Sequence, residues 1–256
     1  GRGTLESLRM ISKNFKNFRI KKIGSGKKVF DWTVPPEWNA KEAFILDKNG
    51  EKIVDFKRNN LHLVGYSSNV NLSLTKNELL KRLHSLNKYP NAIPYITSYY
   101  KKYWGFCVSE NFKKKISKNY NASDKFKVFI NSRFNKKGFL NYGEYFLKGK
   151  VDKEILISTY ICHPSMANDE LSGPIVSMCL ISHFMRLNNH YSMRFLFIPE
   201  TIGSIAYISK NLRNLKNKVF CGFNISCIGD ERNHSYILSK YKNSPSDEAL
   251  LIAYKK

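Results

Sequence analysis

The stretch Glu154-Ile-Leu-Ile-Ser-Thr-Tyr-Ile-Cys-His-Pro-Ser-Met-Ala-Asn-Asp-Glu-Leu-Ser-Gly173 constrains the fold more than any other part of the chain. Ile155 to Ile161 is a short apolar, β-branched run without a polar face, which suits a central strand covered on both sides. Pro164 ends it, because proline cannot donate a ladder hydrogen bond and biases His163 away from helical geometry. A polar loop with His163, Asn168, Asp169 and Glu170 follows. Leu171 to Asn188 then has apolar residues at helical spacing, with Gly173-Pro174 in the first turn. Strand, polar loop and helix in this order predict an α/β fold, and in open α/β sheets ligands sit beyond the carboxyl ends of the strands.

Two later runs repeat the pattern. Arg194 to Pro199 is a compact apolar strand that delivers Glu200, and a helical pattern through Ile205, Tyr207 and Ile208 follows. Val219 to Ile228 is a third strand, ending at Gly229-Asp230-Glu231. The expectation is a mostly parallel sheet flanked by helices, with one imidazole and several carboxylates along one rim. That is the donor set of hydrolytic zinc or related divalent sites, where the metal polarises a carbonyl or lowers the pKa of bound water. Taken singly, a histidine at a strand end and an aspartate before Ser-Gly are ordinary hydrogen-bonding and helix-capping residues. It is their combination with Glu200 that points to chemistry.

Tyr160-Ile-Cys-His-Pro-Ser-Met-Ala-Asn-Asp-Glu-Leu-Ser-Gly173 and Phe197-Ile-Pro-Glu-Thr-Ile-Gly-Ser204 together resemble a bacterial aminopeptidase-like family of unknown function. That family is associated with polysaccharide biosynthesis and carries an inserted domain. Val29-Phe-Asp-Trp-Thr-Val-Pro-Pro-Glu-Trp38, Asn60-Leu-His-Leu-Val64, Ile93-Pro-Tyr-Ile-Thr-Ser-Tyr-Tyr100 and Trp104-Gly-Phe-Cys107 extend the resemblance along most of the chain. More distantly the chain is similar to the co-catalytic zinc aminopeptidases, whose pattern is a His, an Asn-Asp before a Ser-Gly helix start, and a Glu-Glu at a strand end. The resemblance implies that His163 is the first metal-binding histidine, Asp169 the bridging aspartate and Glu200 the general base that takes a proton from the attacking water. Thr201 departs from the pattern, since it stands where a second glutamate would be a ligand. A further metal-binding aspartate is expected near the end of the third strand, where Cys227 is in closest register and Asp230 lies slightly beyond. The pattern's final histidine has no counterpart in this chain and is expected in a segment beyond Lys256.

With 256 residues the chain forms one large or two small domains and buries about three quarters of its unfolded surface. The net charge of +23 raises nucleic acid as a partner. The lysines are scattered, however, and the densest basic run, Asn111 to Lys118, belongs to no nucleic-acid module, so a solvated face is the expectation. Five cysteines without regular spacing argue against a disulfide framework. Cys162 and Cys179 have apolar neighbours in sequence and read as small core residues. No stretch approaches the roughly 20 apolar residues of a membrane span, and no secretory signal opens the chain, which favours the cytoplasm. No Gly-x-Ser-x-Gly elbow surrounds Ser165 or Ser172, so a serine nucleophile is not expected.

Leu5, Leu8, Ile11 and Phe15 predict a first helix over Thr4 to Phe15, and Phe18 to Ile23 a strand, both assigned to the large domain, residues 1–30 and 128–256. Residues 31–127 read as an inserted β-rich domain. It contains a hairpin from Ala43 to Phe56 around Lys48-Asn-Gly50, a short strand at Leu61 to Tyr66 and a helix over Asn77 to His84. Val128 to Ser132 and Asn141 to Leu147 are expected in the main sheet. Tyr95, Tyr99, Tyr100, Trp104 and Phe106 read first as core and second as a substrate wall. Of the remaining histidines, His62, His84, His183 and His190 are assigned no chemistry, and His234 is set apart by its nearness in sequence to Asp230. The expected activity is metal-assisted hydrolysis of an amide or peptide bond. One or two Zn2+ ions, or another divalent metal, would be held by His163, Asp169 and Asp230, with Glu200 activating water on a small peptide or amino-sugar-like substrate. The other reading is a catalytically silent scaffold or carbohydrate-binding protein on the same fold.

Overall fold

The structure is a computed structural model that describes residues 1–233 and 235–255. The chain forms two compact units, one of Gly1–Val34 with Lys137–Lys256 and the other of Pro35–Lys136.

The first unit is built on a five-stranded sheet in the order Arg19–Gly24, Phe139–Leu147, Tyr191–Ile198, Val151–Tyr160, Val219–Asn224. Its inner strand Tyr191–Ile198 carries Phe195 and Phe197 on one face and Leu196 and Ile198 on the other, all almost fully buried. This matches an apolar run without a polar face. Leu8 and Ile11 of the helix Arg2–Ser12 and Ile181 of the helix Asn168–Phe184 pack with Phe195 and Phe197. Ala206 and Tyr207 of the helix Ile202–Lys218 pack with Leu196 and Ile198. Each buried phenylalanine contributes about 1.5–3 kcal/mol relative to an exposed one.

The sheet is mixed, where a mostly parallel one is expected from the sequence. Val151–Tyr160 runs parallel to both Tyr191–Ile198 and Val219–Asn224, while Phe139–Leu147 runs antiparallel to Arg19–Gly24 and to Tyr191–Ile198. The cause lies in the connections. Helices link the three parallel strands, as a parallel crossover requires. Phe139–Leu147 reaches Val151 through only Lys148-Gly149-Lys150, which reverses the chain, and Tyr191–Ile198 then inserts between the two strands so joined.

The second unit has an antiparallel four-stranded sheet in the order Lys52–Asp55, Glu37–Leu46, Lys125–Asn135, Val70–Thr75. Its own core includes Ile45, Leu79, Phe106, Phe126 and Ile130. The segment Val128 to Ser132 therefore belongs to this sheet and not to the main one, because the strand Lys125–Asn135 pairs along its length with Glu37–Leu46. Leu61 to Tyr66 is not a strand: a 3-10 turn at Asn60–His62 is followed by isolated bridges, Leu63 to Phe106 and Gly65 to Thr97. The helix expected over 77–84 is Lys76–Leu80, with a Thr75–Glu78 capping box, and Leu83–His84 has become a short strand. Phe106 is fully buried and Trp104 packs on the same core, while Tyr100 is exposed.

Candidate active site at the rim of the first unit

Three parallel neighbours end on one side of the sheet, and the chain leaving each end supplies the site. After Tyr160 the backbone stays in register, with Ile161 N–H donating to Ile198 O at 3.1 Å, and it then delivers Cys162 and His163. Pro199 and Glu200 follow Ile198 directly. Beyond Asn224, Ile225 N–H donates to Ser158 O at 2.8 Å before the loop that holds Cys227 and Asp230. The helix Asn168–Phe184 begins against these ends because Gly173 has no side chain. A Cβ there would lie 2.2 Å from Thr159 Oγ1 and 2.3 Å from Ile225 O.

His163 is the centre of the group. Its Nδ1 donates to Glu170 Oε1 at 2.5 Å, and its Nε2 is 3.6 Å from Glu200 Oε2. Glu170 is buried, and its other oxygen accepts the Cys162 N–H at 2.7 Å. Cys162 Sγ lies 3.4 Å from His163 Nδ1 and accepts the Glu200 N–H at 3.3 Å. Hydrogen bonding to Cys162 and to Glu170 pushes the imidazole of His163 up against the opposing effect of burial. Burial raises the thiol of Cys162 in turn, so near neutrality the sulfur is protonated and a weak acceptor.

Asp169 lies beside this group. Tyr160 donates its hydroxyl to Asp169 Oδ1 at 2.5 Å, and the Cys227 thiol donates to the same oxygen at 3.1 Å. Burial would raise the Asp169 carboxyl, but these two donors and the nearby His163 together hold it below its usual range. The Tyr160 and His163 rings meet edge to face with centroids 6.2 Å apart, so the two halves of the site share a wall.

Asp230 is engaged elsewhere. Its carboxylate takes Arg232 Nε at 3.0 Å and a terminal guanidinium nitrogen at 2.7 Å. Its loop is pinned to the helix start by Gly229 N–H to Asn168 Oδ1 at 2.8 Å and Ile228 N–H to Ser172 Oγ at 3.0 Å. The structure thus brings His163, Glu200, Glu170 and Cys162 together with Asp169 adjoining, and it pairs Asp230 with Arg232. His234 lies outside the described residues.

Ser165, Ala167, Thr201 and Cys227, four of the eight non-glycine residues with positive φ among the described residues, lie around the site, at 58°, 40°, 53° and 53°. Each such conformation costs on the order of 1–3 kcal/mol and persists where the surroundings over-determine it, as they do at functional sites. The sequence gives Glu170 and Tyr160 no role in the site and reads Cys162 as a core residue. A glutamate in the first turn of a helix is an unremarked partner of the helix dipole, and this one is buried against Cys162 and His163. Cys162 is half-buried at the site instead of deep in the core, and Cys179 is exposed.

Among the described residues, the side chains of metal-ligating type that gather in a group of three are Cys162, His163 and Glu170. Their spacing separates two kinds of contact. Two bonds of about 2.0–2.2 Å to one ion at a tetrahedral angle put the donor atoms about 3.3–3.6 Å apart. The 2.5 Å between Nδ1 and Glu170 is shorter than that and is a hydrogen bond. The 3.6 Å between Nε2 and Glu200 is too long for a hydrogen bond, so Glu200 stands beside Nε2 without engaging it. Asp169 lies near enough for the charge of His163 to help hold its carboxyl below the usual range, but it does not join His163 and Glu200 in a group of three.

A family model described as "Domain of unknown function (DUF4910)" matches residues 1–256. A Clostridium acetobutylicum protein, provisionally named a polysaccharide biosynthesis protein with aminopeptidase-like domain, is 41% identical over 248 residues, which is 97% of this chain and 55% of that protein. A crystal structure of a provisionally named peptidase from Clostridium acetobutylicum matches with a TM-score of 0.91 at 41% identity, covering 98% of this chain and 58% of that one. A zinc aminopeptidase from Bacillus subtilis matches with a TM-score of 0.68 at 12% identity, covering 98% of this chain and 71% of that one. At that identity the likeness is one of fold. The chain spans a little over half the length of its Clostridium relatives. Among the described residues no helix is long and apolar enough to cross a membrane.

Proposed function

The chain belongs to the DUF4910 family, and from that premise we propose that it is the catalytic part of a metal-dependent hydrolase of aminopeptidase type. The observation that carries the reading is the gap of 3.6 Å between His163 Nε2 and Glu200 Oε2, made by residues from two adjacent strand ends. His163 Nε2 and Asp169 would hold a zinc ion, with Asp230 supporting the shell through its loop. When bound, such an ion polarises an amide carbonyl and lowers the pKa of water. Glu200, with a half-exposed side chain, is placed to take a proton from the attacking water and return it to the departing amine. Tyr160 keeps Asp169 ionised and oriented.

The substrate in this reading is a peptide or an amide on an amino sugar, and the link to surface-polysaccharide synthesis rests on the name of the Clostridium relative. Five free cysteines support a reducing cytoplasmic setting. Residues 31–127, inside the second compact unit apart from their first few positions, are proposed as an inserted domain. The test is hydrolysis of aminoacyl and N-acyl substrates by purified protein with zinc, manganese or cobalt added. Activity that falls at least a hundredfold in Glu200→Gln supports the proposal. No hydrolysis with any metal refutes it.

A silent scaffold on the same fold is the second reading. It is favoured by Thr201, a neutral residue where a ligand is expected, and by the Asp230–Arg232 pair. Tight metal retention without turnover would support it.

A further inference from the structure

We infer that Glu170 is the positioning residue of the site: it holds the proton on His163 Nδ1 and so dedicates Nε2 to the metal. The inference rests on the reading of His163 as a metal ligand. A histidine can present either ring nitrogen to an ion, and a hydrogen bond from the other nitrogen decides which. Here that bond is short, 2.5 Å from Nδ1 to Glu170 Oε1, and its acceptor is fixed from the opposite side by the Cys162 N–H at 2.7 Å. The carboxylate is 7% exposed, so water does not compete strongly for either oxygen. It also stands in the first turn of Asn168–Phe184, which Gly173 lets come down on Thr159 and Ile225. With Nδ1 occupied, Nε2 is left toward Glu200.

The same geometry decides against the three-donor alternative, in which Cys162, His163 Nδ1 and Glu170 together hold the ion. That arrangement needs Nδ1 and Oε1 to separate by nearly an ångström and needs Nδ1 to lose its proton, and it would turn Nε2 away from any role. One buried carboxylate thus closes the strand end through one oxygen and sets the imidazole through the other.

The test is nitrogen-15 NMR of the imidazoles in the full chain, with and without zinc, the His163 signals being identified by their loss in His163→Gln. The expected result is a strongly downfield Nδ1–H resonance in the metal-free protein that survives zinc loading, while Nε2 takes the shift of a metal-bound nitrogen. Glu170→Gln should remove the downfield proton and weaken zinc affinity by about 10–100-fold. An Nδ1 that carries no proton in the wild-type zinc protein overturns the inference. Should Glu170→Gln fail to fold, the wild-type spectra alone still decide. If wild type binds no zinc but shows the downfield proton, and Glu170→Gln loses it, the positioning role stands and the hydrolase reading fails.

Discussion

Arg194 grips Glu154 across two parallel strands with a two-pronged contact, Nε to Oε2 at 2.7 Å and a terminal nitrogen to Oε1 at 2.8 Å. The same guanidinium reaches Glu144 on the other neighbouring strand at 3.1 Å, and Glu144 also receives Lys21 and the Tyr207 hydroxyl. Both carboxylates are almost fully buried. Removing the cation takes the ion pair from buried Glu154 and leaves Glu144 with Lys21 and Tyr207, so Arg194→Met is expected to destabilise the first unit by about 3–5 kcal/mol. Urea unfolding followed by circular dichroism measures this. A loss below about 1 kcal/mol would show the network to be dispensable.

The network also fixes how stability responds to acid. Burial pushes the Glu144 carboxyl up, but the Lys21 hydrogen bond and the Arg194 charge outweigh it and leave Glu144 below its ordinary value of 4.5. A carboxylate depressed in the folded state binds protons less readily there than when unfolded. Its contribution is therefore complete above pH 4.5 and is lost as pH falls through the lower folded-state value. Thermal melts between pH 3 and 7 should show a steeper acid limb for wild type than for Glu144→Gln, which starts lower and changes less.

Tyr160 and Asp169 make a second short contact, at 2.5 Å. Tyr160→Phe keeps the ring against His163 and deletes one donor to an ionised acceptor, a change worth about 1.5–3 kcal/mol in such bonds. The carboxyl of Asp169 should move up toward its ordinary range, visible by carbon-13 NMR titration. Turnover at pH 5 should fall more than at pH 8. An unmoved Asp169 would mean that the Cys227 thiol and His163 hold it ionised unaided.

Gly173 sets the approach of helix to sheet. Gly173→Ala is expected to cost about 1–3 kcal/mol through overpacking, against the roughly 1 kcal/mol that alanine normally gains in a helix. Gly3→Ala, in the helix Arg2–Ser12 with nothing within 4 Å of the added carbon, should instead be neutral or stabilising. Paired denaturation curves compare the two. Equal effects would contradict the close-packing account.

What the sequence disclosed follows from which interactions are local. The apolar runs around Ile157 and Phe195 mark buried strands because both faces of the sheet are covered, and Gly173-Pro174 marks the first turn of a helix. The direction of Phe139–Leu147 and the allegiance of Lys125–Asn135 could not be seen, since both depend on pairings distant in sequence. At the rim, the meeting of His163 and Glu200 follows from two strands being neighbours. The capture of Asp230 by Arg232 needed a turn that brings the two together. Glu170 stayed hidden for another reason: its contacts are with Cys162 and His163 beyond the end of a strand, and only the fold brings the helix start onto them.

The most direct measurement of the central claim is an anomalous-scattering map at the zinc edge from crystals of the chain grown with zinc. The account predicts a peak about 2.0–2.1 Å from His163 Nε2, on the side facing Glu200 and within bonding reach of Asp169. A map without a peak there, or with one lodged between Cys162 and Glu170, would contradict it.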